Sequence, residues 1–266
     1  MNKIAVSKYV LIWSMVISVL VLLASIYGLL APDIYAKETA NWATQAKGQD
    51  IGNLIAILTL LASGYYYKKG SSKAALIWLG TLFYLIYAYI VYSVAVHFNA
   101  LFLVYVAILG ICSYVVLLSI DEIKKLNSKN GKSAAVKFAS YTIMGIGILF
   151  GLLWLSEIIP ALITGKVPQS LQDAGLWVNP IHVIDLSIVL PGFIIAGYCG
   201  LKNKSGGIFY VAPWLAFSAL MGLSIVAAML LMITEGANNV LPPMIMVSIV
   251  VISSIVALWR YLSKIN

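Results

Sequence analysis

The sequence predicts an all-α, polytopic membrane bundle of eight transmembrane helices arranged as a 4+4 parallel internal repeat. Three observations carry that expectation. The first is composition: 62 % of the 266 residues are hydrophobic and only 10 % are charged, against about 25 % charged in a soluble domain. The second is that eight apolar runs, 9–30, 51–67, 74–97, 101–120, 138–160, 182–201, 208–234 and 241–261, approach or exceed the roughly 20 residues that cross a bilayer core. The third is charge sorting. Of 17 Lys and Arg residues, only Lys37, Lys47 and Lys166 fall outside the termini and every second loop, whereas only Asp121 and Glu122 of the nine acidic residues join the basic loops. By the positive-inside rule, both termini are expected in the cytoplasm and the chain in a multi-pass cell (cytoplasmic) membrane.

The elements follow in order. Lys3 and Lys8 precede an apolar stretch, Tyr9 to Leu30, that is longer than the roughly 7–15 residues of a signal-peptide core, so it reads as a retained first span. Gly48-Gln49-Asp50 opens the second, with Asp50 where an N-cap belongs and Asn53 one turn inside. Lys68-Lys69-Gly70 closes it. The third span carries Tyr84, Tyr87, Tyr89, Tyr92, Ser93 and His97. Tyr84 and Tyr87 are too deep for an interfacial belt, so each hydroxyl needs a partner within the bundle. Asn99 marks a short outer turn before the fourth span, and the basic segment 121–137 joins the halves 1–125 and 138–266 of one transmembrane domain, 1–266. In the fifth span, Gly145-x-Gly147-x-x-x-Gly151 suggests a close helix contact. Glu157 lies near its outer end, where the helix dipole opposes a negative charge. Asn179-Pro180 suits the start of the sixth helix, placing His182 and Asp185 three apart on one face. Pro191 marks a candidate kink. Glu235 follows the seventh span near Gly236-Ala237-Asn238-Asn239, and the eighth, 241–261, ends ahead of Lys264.

The loop order repeats: long outside, short and basic inside, short outside. Trp42 precedes Asp50 by eight residues, as Trp177 precedes Asp185. Gly64-Tyr65 corresponds to Gly197-Tyr198, and Ala24-Ser25-Ile26-Tyr27 to Leu155-Ser156-Glu157-Ile158. Four spans per half give a parallel repeat about an axis along the membrane normal, placing Asp50 and Asp185 at equal depth near the outer surface.

The net charge of +8 is spread over short loops, which fits topology and anionic lipid rather than nucleic acid. The lipid bilayer is the expected partner. Cys112 and Cys199 sit in spans and suggest no disulfide. There is no Gly-x-Ser-x-Gly, Walker loop or His-Glu-x-x-His. The candidate substrate- or ion-binding residues are Asp50, Asn53, Tyr87, Tyr92, His97, Asn99, Glu157, His182 and Asp185. They suggest a transporter or channel for a small ion or solute, His182 passing a proton between carboxylates. Two other classes remain open. One is a redox enzyme in which His97, His182, Asp185 and Glu157 hold a metal or the two histidines a haem. The other is a sensory or assembly subunit whose outer loops hold a partner. No cofactor is indicated by spacing, and the sequence leans away from an enzyme.

Ala46-Lys47-Gly48-Gln49-Asp50, the Phe98–Ala107 stretch and Asn179-Pro180-Ile181-His182-Val183-Ile184-Asp185 with Leu190-Pro191-Gly192 resemble an uncharacterised group of prokaryotic polytopic membrane proteins. The resemblance implies an integral membrane protein and no particular substrate.

Overall fold

In the computed structural model, which describes residues 6–127 and 134–264, the chain is all helical among those residues. The helices are α1 (Val6–Leu30), α2 (Ala40–Lys68), α3 (Ser72–Ala95), α4 (Phe102–Leu126), α5 (Ala134–Thr164), α6 (Gln169–Ala174), α7 (Pro180–Ile184), α8 (Leu190–Leu201), α9 (Ser205–Thr234) and α10 (Leu241–Leu262). A π turn, Asp185–Val189, fuses α7 and α8 into the expected sixth span. Residues 128–133 of the expected 121–137 connection lie outside the described residues, and its flanks are helical.

Among the described residues, seven helical stretches are long and apolar enough to cross a membrane. The exception among the eight expected spans is α2. At 29 residues it has the length, but Lys47, Gln49, Asp50 and Asn53 dilute its apolar character. It packs against α1, α3 and α9, with Leu58, Tyr65 and Tyr66 left facing outward. Lipid-type side chains such as Leu58, Leu103, Leu162 and Ile163 face outward from the bundle.

Helix α2 also starts eleven residues before its expected boundary. Thr39 is the N-cap, its Oγ1 accepting from the Trp42 amide at 3.2 Å. Asp50 is therefore not a cap but lies deep within the helix, and it is buried. The indole N–H of Trp42 reaches across to the Ala95 carbonyl at 2.8 Å, satisfying one of the acceptors left open where α3 ends.

Within each half, neighbouring helices close a ring. α1 packs on α2, α2 on α3, α3 on α4, and α4 back on α1. In the second half α5 packs on α8, α8 on α9, α9 on α10, and α10 back on α5. The rings meet through α9, which lies against both α2 and α3. Small residues permit the approach. A side-chain carbon on Gly48 would strike the Ala228 backbone, and one on Gly52 would strike Ser224. Both pairs are spaced by four, the small-xxx-small pattern of tightly packed membrane helices.

The glycine run in α5 behaves otherwise. A side-chain carbon on Gly147 would lie 3.0 Å from Phe193 Cβ, but one on Gly145 or Gly151 would meet open space. The expected contact thus narrows to one residue.

Candidate functional site

The π turn starts at Asp185, and the Leu190 amide returns to the Asp185 carbonyl. Pro191, which has no amide to offer, follows directly. Single π turns inside α-helices re-aim side chains and recur at functional sites. Here the turn carries Asp185 into the interior, where Trp154 Nε1 of α5 donates to Asp185 Oδ2 at 2.8 Å. The Tyr87 hydroxyl of α3 also faces this carboxylate. Asp185 is 8 % exposed, well short of the wet surface position that helix-end solvation requires.

At its N-terminus the same helix matches expectation. Asn179 caps it, accepting from the Ile181 amide at 2.9 Å, and Pro180 takes the first helical position. His182 is buried, its ring 4.7 Å from that of Trp154 between centroids. Its Nε2 lies 3.7 Å from Glu157 Oε2, close enough for an ion pair but with no hydrogen bond. Glu157 is seven residues inside α5 rather than at its end, because α5 continues to Thr164. Ser170 of α6 donates to it. Trp154 thus stands between two expected site residues, its ring beside His182 and its N–H on Asp185.

Asp50 lies in a second, more enclosed cluster. Tyr35 donates to Asp50 Oδ2 at 2.7 Å. The Tyr92 hydroxyl is 2.9 Å from both Asp50 Oδ1 and the Ala46 carbonyl. Tyr105 stacks on Tyr92 with centroids 5.0 Å apart. The hydroxyls of Tyr89, Tyr105 and Ser25 and the Asn53 amide nitrogen are buried without a hydrogen-bond partner of ordinary geometry. Gly28 of α1 leaves room for the carboxylate, since a side-chain carbon there would strike Asp50 and approach the Tyr35 hydroxyl to 2.7 Å. Burial, reinforced by the Asp50 charge, pushes the Tyr35 hydroxyl, in the 31–39 loop, well above the ordinary tyrosine range.

Gln49 links the Asp50 cluster, through Asn53, to α9. Its Nε2 donates to the Tyr84 hydroxyl at 2.6 Å and to Asn53 Oδ1 at 3.2 Å, while Ser224 reaches its Oε1 at 3.4 Å. Tyr84 therefore has the interior partner its depth demands.

A cavity of about 310 Å³ lies where the two rings meet. Asp185 lines it directly, together with Tyr87, Tyr92, Trp154 and Gln49. Asp50 does not, but Tyr92 joins it to the cavity wall.

Two expected residues lie elsewhere. His97 is exposed and pairs with Glu38, which accepts from its backbone amide at 2.7 Å and lies 3.0 Å from its Nδ1. Asn99 fixes the turn between α3 and α4, its Oδ1 accepting from the Leu101 amide at 2.9 Å. The four metal candidates thus do not converge: His97 is held by Glu38, His182 faces Glu157, and Asp185 is held by Trp154. Among the described residues no three His, Cys, Asp or Glu side chains are grouped to hold a metal ion. The two imidazoles are engaged separately and do not face one another as a pair of axial haem ligands would. Glu235 also has a partner, Thr44 Oγ1 at 2.5 Å.

Three contributors went unforeseen: Trp154, Tyr35 and Glu38. Trp154 had a signal, since an indole N–H in an apolar span must find an acceptor. Tyr35 and Glu38 sit in a loop without periodicity.

No known protein family, curated protein or solved structure matches this chain.

Proposed function

We propose that the chain is a transporter of a small solute in the cytoplasmic membrane of a prokaryote, with the cavity between its rings as the solute site and Asp185 and Asp50 as proton carriers. The single observation that carries this reading is the placement of Asp185. A carboxylate enclosed among apolar helices is costly and is retained where it does work, and this one opens onto a cavity at the junction of two helical units. Substrate sites at such junctions are general among transporters built from repeats.

Asp50 is suited to hold a proton by its hydrogen-bond arithmetic. The single Tyr92 proton has two acceptors, Asp50 Oδ1 and the Ala46 carbonyl. With a proton on Asp50, the carboxyl donates to Tyr92 and Tyr92 donates to Ala46, so every group has one partner. Release of that proton leaves the Tyr92 hydroxyl one proton to share between two acceptors. Glu157 and His182 lie on the outer approach to Asp185 and form the proton-exchange step there.

We further infer that α2 crosses the membrane as an eighth span, that both termini are cytoplasmic, and that the halves are a duplicated four-helix unit. The duplication is supported by the matching ring contacts and by the glycines at corresponding places. A side-chain carbon added at Gly64 of α2 would lie 2.6 Å from Ser14 Oγ of α1, and one added at Gly197 of α8 would lie the same 2.6 Å from the Ser140 carbonyl of α5. Each aspartate also contacts the first helix of its own half, Asp50 at Gly28 and Asp185 at Trp154. The tryptophans preceding them are not equivalent: Trp42 is buried and Trp177 is 98 % exposed.

The test is proton movement in vesicles. Protein reconstituted with the pH dye pyranine inside is challenged with panels of small amines, carboxylates, alcohols and amino acids. A solute-dependent pH change is expected for the natural chain and not for Asp185→Asn combined with Glu157→Gln. If the double variant responds like the natural chain, the mechanism is wrong.

A further inference from the structure

We propose that the solute taken by this cavity is a small organic cation, an ammonium group on an aromatic or alkyl body, with Asp185 as its counter-ion. The inference rests on the cavity being the solute site and adds the chemistry of what fills it.

Charge is the first argument. Among the described residues along the cavity, Asp185 is the one carboxylate, and no Lys, Arg or His lies on the wall. A carboxylate in a water-poor space needs a compensating positive charge or a proton. The groups that meet it, the Trp154 N–H on Oδ2 and the facing Tyr87 hydroxyl, are both neutral. An anion entering here would meet a like charge with no cation to offset it.

The second argument is the wall. Tyr87 and Phe217 meet edge to face at 5.5 Å, and Phe217 and Phe193 do so at 5.9 Å. With Trp154 they bring aromatic side chains from α3, α5, α8 and α9 to one cavity that also holds the carboxylate. Aromatic faces attract cations through the ring quadrupole, and an aromatic enclosure with one acid is the chemistry that recognises substituted ammonium groups. A small inorganic cation fits poorly. Calcium takes six to eight oxygen ligands, whereas the other polar side chains here are neutral ones such as Gln45, Gln49, Ser218 and Ser224 among many apolar groups. A sugar-like solute would leave most of its hydroxyls unpaired against the same wall.

Size is the third. At about 310 Å³ the cavity stands near the lower end of the roughly 300–1,000 Å³ typical of ligand sites, which suits a molecule of one ring.

The test uses the full chain in lipid nanodiscs, with empty nanodiscs as the blank. Binding of phenyltrimethylammonium is measured by equilibrium dialysis beside its uncharged isostere tert-butylbenzene and the acid 4-tert-butylbenzoate. The cation is expected to bind at least about tenfold more tightly than the isostere, and the acid not to bind. Asp185→Asn should abolish the preference and Asp185→Glu should restore part of it. Phe217→Leu keeps an apolar wall but removes a ring face. It should weaken the cation about three- to thirty-fold while leaving the isostere unchanged, and it decides the matter if the Asp185 variants do not fold. Equal binding of cation and isostere to the natural chain overturns the proposal, as does an undiminished preference in Asp185→Asn or an equal loss of both ligands in Phe217→Leu. Cation binding without vesicle flux would keep this site and remove transport. Flux of neutral or acidic solutes without a cation preference would do the reverse.

Discussion

Trp154 and Asp185, on different helices and 31 residues apart, are joined by an indole N–H···carboxylate bond of 2.8 Å. The bond fixes the aspartate against α5 and holds the Trp154 ring beside His182. Hydrogen bonds to charged groups contribute about 1.5–3 kcal/mol, and a buried acceptor left without its donor costs a similar amount. Trp154→Phe keeps much of the ring bulk and deletes the donor. It should therefore lower stability by about 1–3 kcal/mol, read by thermal unfolding in detergent, and the loss should shrink when combined with Asp185→Leu. Equal losses in both backgrounds would show that the bond is not what Trp154 contributes.

Glycine substitutions should divide sharply by what they face. Gly48→Ala places a carbon against the Ala228 backbone, where no side-chain rotation relieves the clash. Gly145→Ala and Gly151→Ala meet nothing within 4 Å, and helix propensity favours alanine there. Gly48→Ala should give aggregated or poorly expressed protein on size exclusion, while the other two elute as the natural chain does. A well-behaved Gly48→Ala would mean that α2 and α9 are not packed this closely.

These contrasts mark what hydropathy could and could not reveal. Seven spans were legible because lipid demands apolar surface and leaves a long apolar run in the sequence. The N-terminal end of α2 was not. Asn41 to Gln49 is buried in part by protein, through Trp42, Ala46 and Gly48, so it needs small and polar residues rather than a greasy stripe. Asp50 consequently looked like a cap while standing deep inside a helix. The short α6, after α5, was invisible for a related reason: six residues carry too little period to read. At the site, the Glu157–His182 encounter followed from a carboxylate without a neighbouring base and a histidine opening the next span. The His97–Glu38 pair could not be foreseen, because a loop has no periodicity to say which way Glu38 turns.

Tyr35 gives a pH prediction with a definite sign. Its hydroxyl is held above the ordinary tyrosine range by burial and by Asp50, so the folded chain keeps a proton that the unfolded chain releases near pH 10. The stabilisation from this group is complete below that pH and declines above it, by up to about 1.4 kcal/mol per pH unit. Tyr35→Phe loses the 2.7 Å bond to Asp50 and should be the less stable chain at pH 7. Between pH 10 and 11 the gap to the natural chain should narrow, as followed by thermal unfolding across that range. A gap that widens with alkalinity would place the Tyr35 proton on the wrong side of this balance.

Orientation can be read from one side of the membrane. Lys69 lies in the turn between α2 and α3, and Lys166 follows α5; charge sorting predicts the first inside and the second outside. In a background with Cys112→Ser and Cys199→Ser, single Lys69→Cys and Lys166→Cys chains are treated in intact cells with a membrane-impermeant maleimide. Lys166→Cys should label at once, and Lys69→Cys only after the cells are opened. A third position tests α2. Adding Lys37→Cys, in the loop before α2, should give a third site that labels from outside, because α2 must cross for positions 37 and 69 to lie on opposite faces. Labelling of both from the same side would remove the eighth span and with it the parallel arrangement of the halves, since an odd number of crossings cannot return the second half to the orientation of the first.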